Sequence, residues 1–531
     1  MNRRQFVARG VLAAGWAGAH GGPLPLGPAS GAGTRSFQCD DADLQRNYDA
    51  ALSTLHGNIT HVAGFDGPAL VEGSTYLGIW LECAPQESLV FGEFGTEEAR
   101  TVARNNHLAF FALQKEDGQL PCSIKVPVVD RKGGPGWAQI QMVVPIAATA
   151  WEVAQRTGDS ELLEKAYAAC GRWDAWLRRY RNTRGTGLCE GFCVYDTGMD
   201  HSTRWTGVPN ACRDGDAKVC PKAPGLPRLC PDLSATVYGG RVALAEMAGA
   251  LGKRDEAERW SADAEKLRRL IVEKLYDPHD AAFYDVDAEN DFVRVRSAAM
   301  LRVLGEHVPD AALFETVWRR QVHNEKAFWP AYPLPSVAVD DPVFVRPIPR
   351  NSWGGASQAL TALRAPRWME HYGKPAELAW MMQRWVAAIR RRGAFLQQMD
   401  PLSGDFTPDK EGYSPAALVL LDFVWRLSGV REQGELVEWN LRGPAAGNAR
   451  FAARVHGRAA ELVYDGKAAE LRLGRHTLAR VTGVVRIMTT RDGTLRAAVG
   501  IGQGTAEIVV RAQGREKKIS VRGNERVVLG E

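Results

Sequence analysis

The chain has 531 residues, well above the roughly 250–300 at which one hydrophobic core usually stops growing, so one very large domain or two domains are expected. Its 66 basic and 62 acidic residues nearly cancel, and 45% of all residues are hydrophobic. Such a balance gives no electrostatic reason to expect nucleic acid or an anionic membrane as a partner.

The first 34 residues have the features of an export signal. MNRRQFVARG places an arginine pair before a mildly apolar run at 11–19, and AGA at 17–19 is an acceptable cleavage site. The pattern predicts a twin-arginine signal over 1–34 and a periplasmic or secreted protein, with a chance arginine pair as the alternative. No later segment approaches the roughly 18 uninterrupted apolar residues of a membrane span.

Residues 41–429 are predicted to be mostly helical. Apolar residues recur at helical spacing in eleven segments, and glycine turns at 158, 252 and 373 join several of them in pairs. Repeated helical hairpins predict a closed toroid, although six hairpins would need twelve helices. The predicted helices are 41–55, 97–114, 137–155, 161–179, 234–251, 255–275, 297–306 (weak), 311–321, 356–372, 375–390 and 414–427.

Long loops rich in Trp, Tyr, Pro and Gly separate these helices at 56–96, 118–136, 180–232, 323–353 and 393–413. Loops of this length in a compact domain usually carry function, although they could simply cap the helix ends. We therefore expect the functional residues to lie on these loops.

After Gly429 the sequence favours β-strands. Alternating β-formers and turns such as Asp465-Gly466 and Asp492-Gly493 predict a small all-β sandwich over 436–531. A structural role is favoured for it over carbohydrate binding. The predicted strands are 451–455, 461–464, 469–473, 481–488, 495–499, 507–511 and 518–521.

Five of the nine cysteines fall between residues 189 and 230. In an oxidising compartment this clustering predicts one or two disulfides that pin the loop. A zinc site is less favoured, because CEGFC has no second tight pair. The odd number of cysteines leaves at least one free thiol.

The segment DTGMDHSTRW, residues 196–205, has the composition of a sugar pocket. It places Asp196 and Asp200 four residues apart, followed by His201, Arg204 and Trp205. An indole can stack on a pyranose, a guanidinium can bind hydroxyls, and a carboxyl can protonate a glycosidic oxygen. The alternative is an acid-rich surface loop.

Several motifs in a fixed order resemble a known family. VEGSTYLGIWLE, EDGQLPCSI, DTGMDHSTRW, PDLSATVY, FWPAYPLP, NSWGGASQAL, FLQQMDPLSG and EGYSPAALVLLDF, spread over about 41–427, are similar to segments of glycoside hydrolase family 63 and the related trehalases of family 37. The resemblance implies an (α/α)6 barrel and an inverting α-glycosidase, with neither metal nor cofactor. The fold expected for the whole chain is this barrel followed by the C-terminal β-sandwich.

The resemblance also implies roles for individual residues. Asp200 would be the general acid, with Arg204 as a substrate contact. Asp232 would begin a helix, where an N-cap is the simplest role. A buried structural role is the alternative for the aromatic candidates Trp80, Trp329, Tyr332 and Trp353. The remaining candidate substrate contacts are Trp80, Glu82, Asp196, Trp205, Trp329, Tyr332, Trp353 and Gln397.

FLQQMDPLSG departs from the family pattern where the general base should lie. The family has Phe-x-Glu-x-Tyr-Asp-Pro, and this chain has Gln397 at the Glu position. A carboxamide cannot take a proton from water at neutral pH. A relocated base is favoured, with Glu411 ahead of Asp405. Other acids considered for this role are Asp400, Asp409, Glu190 and Asp196.

The favoured function is therefore an exported inverting glycosidase that acts on α-linked gluco- or manno-configured oligosaccharides or glycosides. A non-catalytic sugar-binding protein would explain Gln397, and a phosphorylase would need no base. Another alternative is a polysaccharide lyase, with a catalytic set drawn from His201, Tyr332, Arg350 and Asn351.

Overall fold

The protein is described by a computed structural model covering residues 35–129, 132–442 and 447–529. The predicted export signal lies outside these residues. Within them the chain forms twelve α-helices, and no helix is long and apolar enough to cross a membrane. The helices are α1 (Ala42–Gly57), α2 (Ala84–Gly92), α3 (Glu97–Ala112), α4 (Ile146–Thr157), α5 (Ser160–Tyr180), α6 (Pro231–Ala250), α7 (Arg254–Leu275), α8 (Ala299–Gly305), α9 (Ala311–Val317), α10 (Ala359–His371), α11 (Pro375–Arg392) and α12 (Ser414–Ser428).

The even-numbered helices form a closed inner ring. Each contacts the next in the order α2, α4, α6, α8, α10 and α12, and α12 returns to α2. All nine residues of α2 are buried, whereas the outer helix α7 buries only one stripe: Ala264, Leu267, Ile271 and Leu275. This difference is what an inner and an outer layer require. The (α/α)6 barrel is confirmed.

The helix absent from the prediction is α2. Because it is buried on every side, it has no polar face and therefore no amphipathic period. The predicted helix 137–155 begins only at Ile146, where Pro145 takes the N-cap position; the residue before a proline is disfavoured in the helical region. Asp232 lies inside α6 and Cys230 caps that helix, so the predicted N-cap role was wrong.

Two antiparallel sheets follow the barrel, and both begin earlier than predicted. One has five strands, in the order 430–433, 436–441, 485–490, 495–499 and 526–528, and the other has seven, in the order 36–39, 448–455, 458–465, 468–473, 476–482, 505–512 and 515–522. The single strand predicted at 481–488 is two strands separated at Gly483, whose φ is +94°. The strands are β15 (Val430–Gln433), β16 (Leu436–Leu441), β17 (Asn448–Val455), β18 (Arg458–Asp465), β19 (Ala468–Leu473), β20 (His476–Thr482), β21 (Val485–Thr490), β22 (Leu495–Val499), β23 (Thr505–Ala512), β24 (Arg515–Arg522) and β25 (Arg526–Val528).

The first strand of the chain belongs to this C-terminal sandwich. β1 (Ser36–Cys39) pairs antiparallel with β17, with Phe37 opposite Phe451, and the two rings lie 4.7 Å apart. A four-residue strand next to a helix carries too little pattern to be predicted from sequence.

Short strands brace the barrel loops. They form the sheets β2-β3, β4-β5-β6, β7-β8-β11-β12, β9-β10 and β13-β14. Their bounds are β2 (Ile59–His61), β3 (Pro68–Leu70), β4 (Gly78–Trp80), β5 (Ser123–Lys125), β6 (Gly134–Gly136), β7 (Glu190–Gly191), β8 (Arg228–Leu229), β9 (Tyr276–Asp277), β10 (Ala282–Phe283), β11 (Asp285–Val286), β12 (Phe292–Val293), β13 (Ser357–Gln358) and β14 (Gln398–Met399).

All nine cysteines are free thiols in this structure, in contrast to the predicted disulfides. Cys193 and Cys212 come close, with 3.7 Å between their sulfur atoms. The loop is held by other means, above all a buried ion pair between Arg181 and Asp196.

Candidate active site

Asp200 lies in the loop between α5 and α6, where the end of the inner ring is open to the loops. Its side chain is half-buried, and Oδ2 accepts a hydrogen bond from Asn351 Nδ2 at 2.8 Å. The backbone N–H of Trp353 donates to the Asp200 carbonyl at 2.9 Å. Burial raises the pKa of Asp200, while the Asn351 hydrogen bond and the His201 charge oppose the rise.

A chain of neutral groups connects Asp200 to Gln397. Asn351 Oδ1 accepts from Gln397 Nε2 at 2.9 Å, and Gln397 Oε1 accepts from the Tyr76 hydroxyl at 2.9 Å. These partners fix the orientation of both side-chain amides. Asn351 has a φ of +47°, a left-handed conformation that non-glycine residues adopt mostly where the surrounding structure enforces it. The structure therefore brings together Asp200 and the residue at the family's base position.

Three buried glutamates form a cluster, and two of them, Glu72 and Glu82, are near enough to Asp200 for its charge to affect their pKa. Glu82 Oε2 accepts from Gln141 Nε2 at 3.1 Å, and Glu72 Oε1 accepts from the Tyr413 hydroxyl at 2.8 Å. Burial and then Asp200 raise the pKa of Glu82 to about 7, and burial and then Glu82 raise that of Glu87 to about 8. Burial also raises the pKa of Glu72 well above its usual value. The cluster therefore holds protons near neutral pH.

The negative charges of the glutamate cluster are only weakly balanced by cations, because the arginines near it bind other groups. Arg364 donates to the Glu82 backbone carbonyl rather than to its carboxylate, and Arg302 is bound to Asp232. Burial lowers the pKa of both guanidinium groups, to about 9 for Arg302. One ligand atom from each of Glu72, Glu82 and Cys83 lies within 4.8 Å of the others, a spacing that could hold a metal ion. Burial is the first cause of the raised pKa values of the three glutamates, so it favours their protonated forms.

Asp196 does not face this site. It is fully buried, and its two oxygens accept hydrogen bonds from Arg181 and from the backbone N–H groups of Ile140, Phe192 and Cys193. With every oxygen occupied and no exposed surface, Asp196 organises the loop and does not contact substrate. Its predicted role as a substrate contact is corrected accordingly.

Arg204 and Trp205 are also structural. Arg204 is 2% exposed and donates to Asp232 and Asp285 through both of its terminal nitrogens and Nε. Trp205 is 2% exposed and has the guanidinium of Arg228 over its ring at 5.0 Å. Because these groups have no surface for a ligand, their predicted substrate contacts are corrected as well.

The predicted aromatic platforms are divided between different places. Trp80 is half-buried and meets Tyr76 edge-on at 5.9 Å, next to the site. Trp353 is buried with Arg302 over its ring at 5.2 Å, so it supports the site from behind. Trp329 packs against Trp318 and Trp380, and Tyr332 is buried, with Arg391 donating to its hydroxyl.

The two acids expected to replace the base point into solvent. The Glu411 side chain is 61% exposed and pairs with Arg392 at 3.6 Å, and Asp405 is exposed. By contrast the Asp409 side chain is only 8% exposed, and its Oδ1 accepts from Arg350 Nε at 2.8 Å. Asp409 is also among the charges that, after burial, raise the pKa of Tyr76.

The other acids considered as bases are occupied. Both oxygens of Asp400 are occupied, Oδ2 by Arg346 at 2.8 Å and Oδ1 by the backbone N–H groups of Leu402 and Ser403. Glu190 is fully buried and accepts from the backbone N–H groups of Thr183 and Arg184. Of the acids in the loop after Gln397, Asp409 is thus the one whose side chain is both buried and close to Tyr76.

Sequence reasoning missed Tyr76 and Glu87, and it assigned Asn351 to a different chemistry. Tyr76 and Glu72 both lie in VEGSTYLGIWLE, and Glu87 lies one turn further on. The sequence signal that could have indicated them is the number of glutamates in and just after this motif, namely Glu72, Glu82 and Glu87. Gly198 carries a second signal, because a Cβ there would lie 1.8 Å from Glu82 Oε2 and its φ is +58°.

An inner ring of six helices with carboxyl groups at one open end defines the class of six-hairpin glycosidases. A family model described as the mannosylglycerate hydrolase MGH1-like glycoside hydrolase domain matches residues 93–416. The chain belongs to this family and is a glycosidase that acts on carbohydrate with inversion, as enzymes of glycoside hydrolase family 63 do. No curated protein matches the chain.

Solved structures share the fold at low identity. A family 63 mannosylglycerate hydrolase from Thermus thermophilus, in complex with glucose, has a TM-score of 0.55 and 18% identity, covering 71% of this chain and 99% of that one. The neutral trehalase of Saccharomyces cerevisiae has a TM-score of 0.52 and 13% identity, covering 71% and 80%. A sialidase has a TM-score of 0.62 and 16% identity over 86% of this chain, which spans 41% of the sialidase.

Proposed function

We propose that the protein is an exported inverting glycoside hydrolase of α-linked gluco- or manno-configured oligosaccharides or glycosides, with Asp200 as general acid. The observation that carries this proposal is the setting of Asp200, a half-buried carboxyl whose pKa is raised by burial and which is held by an amide. A carboxyl with a raised pKa keeps its proton to higher pH than an ordinary aspartate does, and it can give that proton to a glycosidic oxygen as the bond breaks.

Inversion requires a second carboxylate that takes a proton from water on the opposite face of the sugar. Gln397 cannot take that proton, because a carboxamide is not basic at neutral pH. Its amide is held between Asn351 and Tyr76, which suits it to position a water molecule. Gln397 would then keep the geometry of the family's base and lack its chemistry.

We assign the role of general base, the group that takes the proton from water, to Asp409. Arg350 and Asn351 are consecutive residues, and they hold Asp409 and Asp200 respectively. Asp409 is shielded from solvent, whereas Glu411 and Asp405 are not. Both hydrogen bonds to Asp409, from Arg350 and from the Lys410 N–H, go to Oδ1. Oδ2 is thus the oxygen that would receive the proton.

In this structure the residues that a lyase would need are bound to other side chains. A lyase would use Arg350 or Asn351 to neutralise a uronate, yet Arg350 is paired with Asp409 and Asn351 is bound to both Asp200 and Gln397. A non-catalytic sugar-binding protein would not need the raised pKa of Asp200. Hydrolysis is therefore the function that these contacts support best.

The decisive experiment is a screen of α-glucosides, α-mannosides and mannosylglycerate, with the anomer of the released sugar followed by proton NMR. We expect the wild type to release the inverted anomer, Asp200→Asn to release almost none, and Asp214→Asn, an exposed acid in the same loop, to match the wild type. Release that requires phosphate would indicate a phosphorylase, and an unsaturated uronide would indicate a lyase. Either result, or full activity of Asp200→Asn, would refute the assignment.

We also propose that the protein is exported, on the basis of the signal-like sequence of residues 1–34. Fusion of this segment to a folded reporter should send the reporter to the periplasm through the twin-arginine pathway. Replacement of the pair Arg3-Arg4 by lysines should retain the reporter in the cytoplasm. Export of that lysine variant at the original level would refute the twin-arginine assignment.

A further inference from the structure

We infer that a groove between the helical barrel and the β-sandwich is a second carbohydrate-binding site, which takes an uncharged oligosaccharide. The groove has a volume of about 830 Å³, within the roughly 300–1,000 Å³ usual for ligand sites. The choice of ligand rests on the proposed carbohydrate substrate. The groove is lined by residues from α11, from the loops at 323–331 and 400–404, and from the sandwich turns at 502–505 and 522–524.

One wall of the groove is apolar and aromatic. Its aromatic part is the half-buried Trp380, which stacks on the buried Trp329 (ring centroids 5.7 Å apart, planes inclined by 22°) and has the Arg384 guanidinium 4.8 Å from its ring centroid. Pro330, Ala331 and Leu402, which is 39% exposed, extend this wall. Trp329 comes from FWPAYPLP, the motif that predicted stacking against sugar, but with 5% of its surface exposed it supports Trp380 from behind and leaves the contact to Trp380 and its apolar neighbours. Apolar C–H faces of pyranose rings pack well on such a surface.

The opposite wall is polar and closely approachable. Gln503 and Thr505 present an amide and a hydroxyl group, which can donate to and accept from sugar hydroxyls. Gly504 lies between them, and a Cβ there would meet nothing within 4 Å, so a ligand can reach the backbone at this point. An apolar wall facing a polar wall matches the two kinds of surface on an oligosaccharide.

The two walls are fixed to each other by direct hydrogen bonds. Asn524 accepts from the Ala376 N–H and donates to Glu377, each at 2.8 Å, and thereby satisfies the first turn of α11. Arg442 donates to the Ile501 carbonyl at 2.8 Å and to Gln383 at 2.7 Å. The groove is therefore formed before a ligand arrives, which reduces the ordering cost of binding.

The charges of the groove favour an uncharged ligand. Glu377 is bound by Asn524, and Arg522 lies 3.5 Å from Glu525. His323 stacks on Trp318 at 5.2 Å. Glu325 remains as an exposed acid, so no run of positive charge is available for a polyanion.

The test uses the full-length Asp200→Asn protein, so that no probe is consumed. It is titrated with maltoheptaose and with a linear α-mannopentaose, and binding is followed by calorimetry and saturation-transfer NMR. We expect a binding event that weakens about tenfold in Asp200→Asn/Trp380→Ala, the loss of one aromatic contact, and about threefold in Asp200→Asn/Gln503→Ala. Trp260→Ala, a tryptophan on the outer helix α7, is the matched control and should leave that event unchanged.

Circular dichroism of each variant checks that the fold is intact. Identical isotherms for the parent, Trp380→Ala and Gln503→Ala proteins would overturn the inference, as would binding of neither oligosaccharide. Binding at the groove by a protein whose wild type turns over no glycan would leave the inference standing and refute the proposed hydrolysis. Turnover without groove binding would refute only the inference.

Discussion

Asp196 and Asp200 are four residues apart and lie in opposite environments. Asp196 is fully buried, bound by Arg181 and by three backbone N–H groups. Asp200 is half-buried, and its carboxylate accepts from the neutral amide of Asn351. Burial raises the pKa of Asp200. The first acid is thus committed to charge pairing and the second retains its capacity to exchange a proton.

The same contrast holds for two larger regions. The cluster of Arg204, Asp232 and Asp285 balances buried charges with ion pairs, so its charges are fixed. The cluster of Glu72, Glu82 and Glu87 gathers carboxyls with little direct cation contact, so its members take up protons instead. Ion pairs thus hold the scaffold of this barrel, whereas Asp200, Glu72 and Glu82 are bound by neutral groups. The proposed base Asp409 differs from these three in its pair with Arg350.

The sharpest test of this contrast exchanges each acid of the pair for its amide. Asp196→Asn leaves the buried Arg181 without its counter-charge and should lower the free energy of unfolding by about 3–5 kcal/mol. Asp200→Asn should unfold like the wild type and lose roughly 10²–10⁴-fold in kcat. Thermal unfolding and kinetics on one substrate measure both. A stable Asp196→Asn protein with lost activity would place Asp196 in the catalytic site after all.

The acids of the loop after Gln397 allow a second comparison, between a shielded and an exposed carboxylate. Asp409→Asn should lower kcat by about 10²-fold, the usual contribution of a general base. Glu411→Gln is the matched control and should stay within about twofold, since its side chain is 61% exposed. Steady-state kinetics on the substrate found by the screen measure both variants.

Chemical rescue tests the Asp409 assignment independently. Azide needs no base, so it should restore turnover of Asp409→Asn and give the glycosyl azide of inverted configuration. Gln397→Glu in the Asp409→Asn background should also restore hydrolysis, because it returns a carboxylate to the family's base position. If neither change restores turnover, or if Glu411→Gln loses as much activity as Asp409→Asn, Asp409 is not the base.

The barrel could be predicted from sequence because most of its helices have one polar face. Eleven of the twelve helices overlap predicted segments, among them the fully buried α8, which was only weakly predicted. α2 was missed because its nine residues are all buried and leave no exposed face. Strand β1 was missed because its partner β17 lies about 410 residues away, and pairing at such a separation leaves no local pattern.

The site was harder to predict than the fold. DTGMDHSTRW contains the pocket acid Asp200 and the scaffold residues Asp196, Arg204 and Trp205 in one run of ten residues. The residue types alone do not distinguish the pocket acid from the scaffold residues. The distinction depends on the ion-pair partners Arg181, Asp232 and Asp285, which are distant in sequence. The motifs predicted the loop that holds the candidate acid, and the three-dimensional partners distinguish that acid from the scaffold residues.

The glutamate cluster predicts an unusual dependence of stability on pH. Glu87 has a pKa of about 8 in the folded protein against an ordinary value of 4.5. Between those values the folded state holds more protons than the unfolded state, so stability should fall as pH rises from about 5 to 8. Glu87→Gln removes this titration and should be more stable than the wild type by roughly 1–3 kcal/mol at pH 8 and about equal at pH 5.

Denaturant unfolding at both pH values measures the Glu87 effect. Glu258→Gln, on the exposed side of α7, is the control and should show no difference that depends on pH. An equal gain for Glu87→Gln at pH 5 and pH 8 would show that Glu87 does not titrate in this range.

The smallest expected effect concerns the amide that joins Asp200 to Gln397. The hydrogen bond from Asn351 stabilises the Asp200 carboxylate and lowers its pKa. Asn351→Ala should therefore raise that pKa, and because the general acid must be protonated, the alkaline limb of kcat/KM should move to higher pH. One hydrogen bond of about 1 kcal/mol corresponds to roughly half to one pH unit. The exposed Asn210→Ala, in the same loop, should leave the limb in place. If the alkaline limb of kcat/KM does not move in Asn351→Ala, a group other than Asp200 donates the proton. The different environments of Asp196 and Asp200 would then not explain which residue acts as the acid.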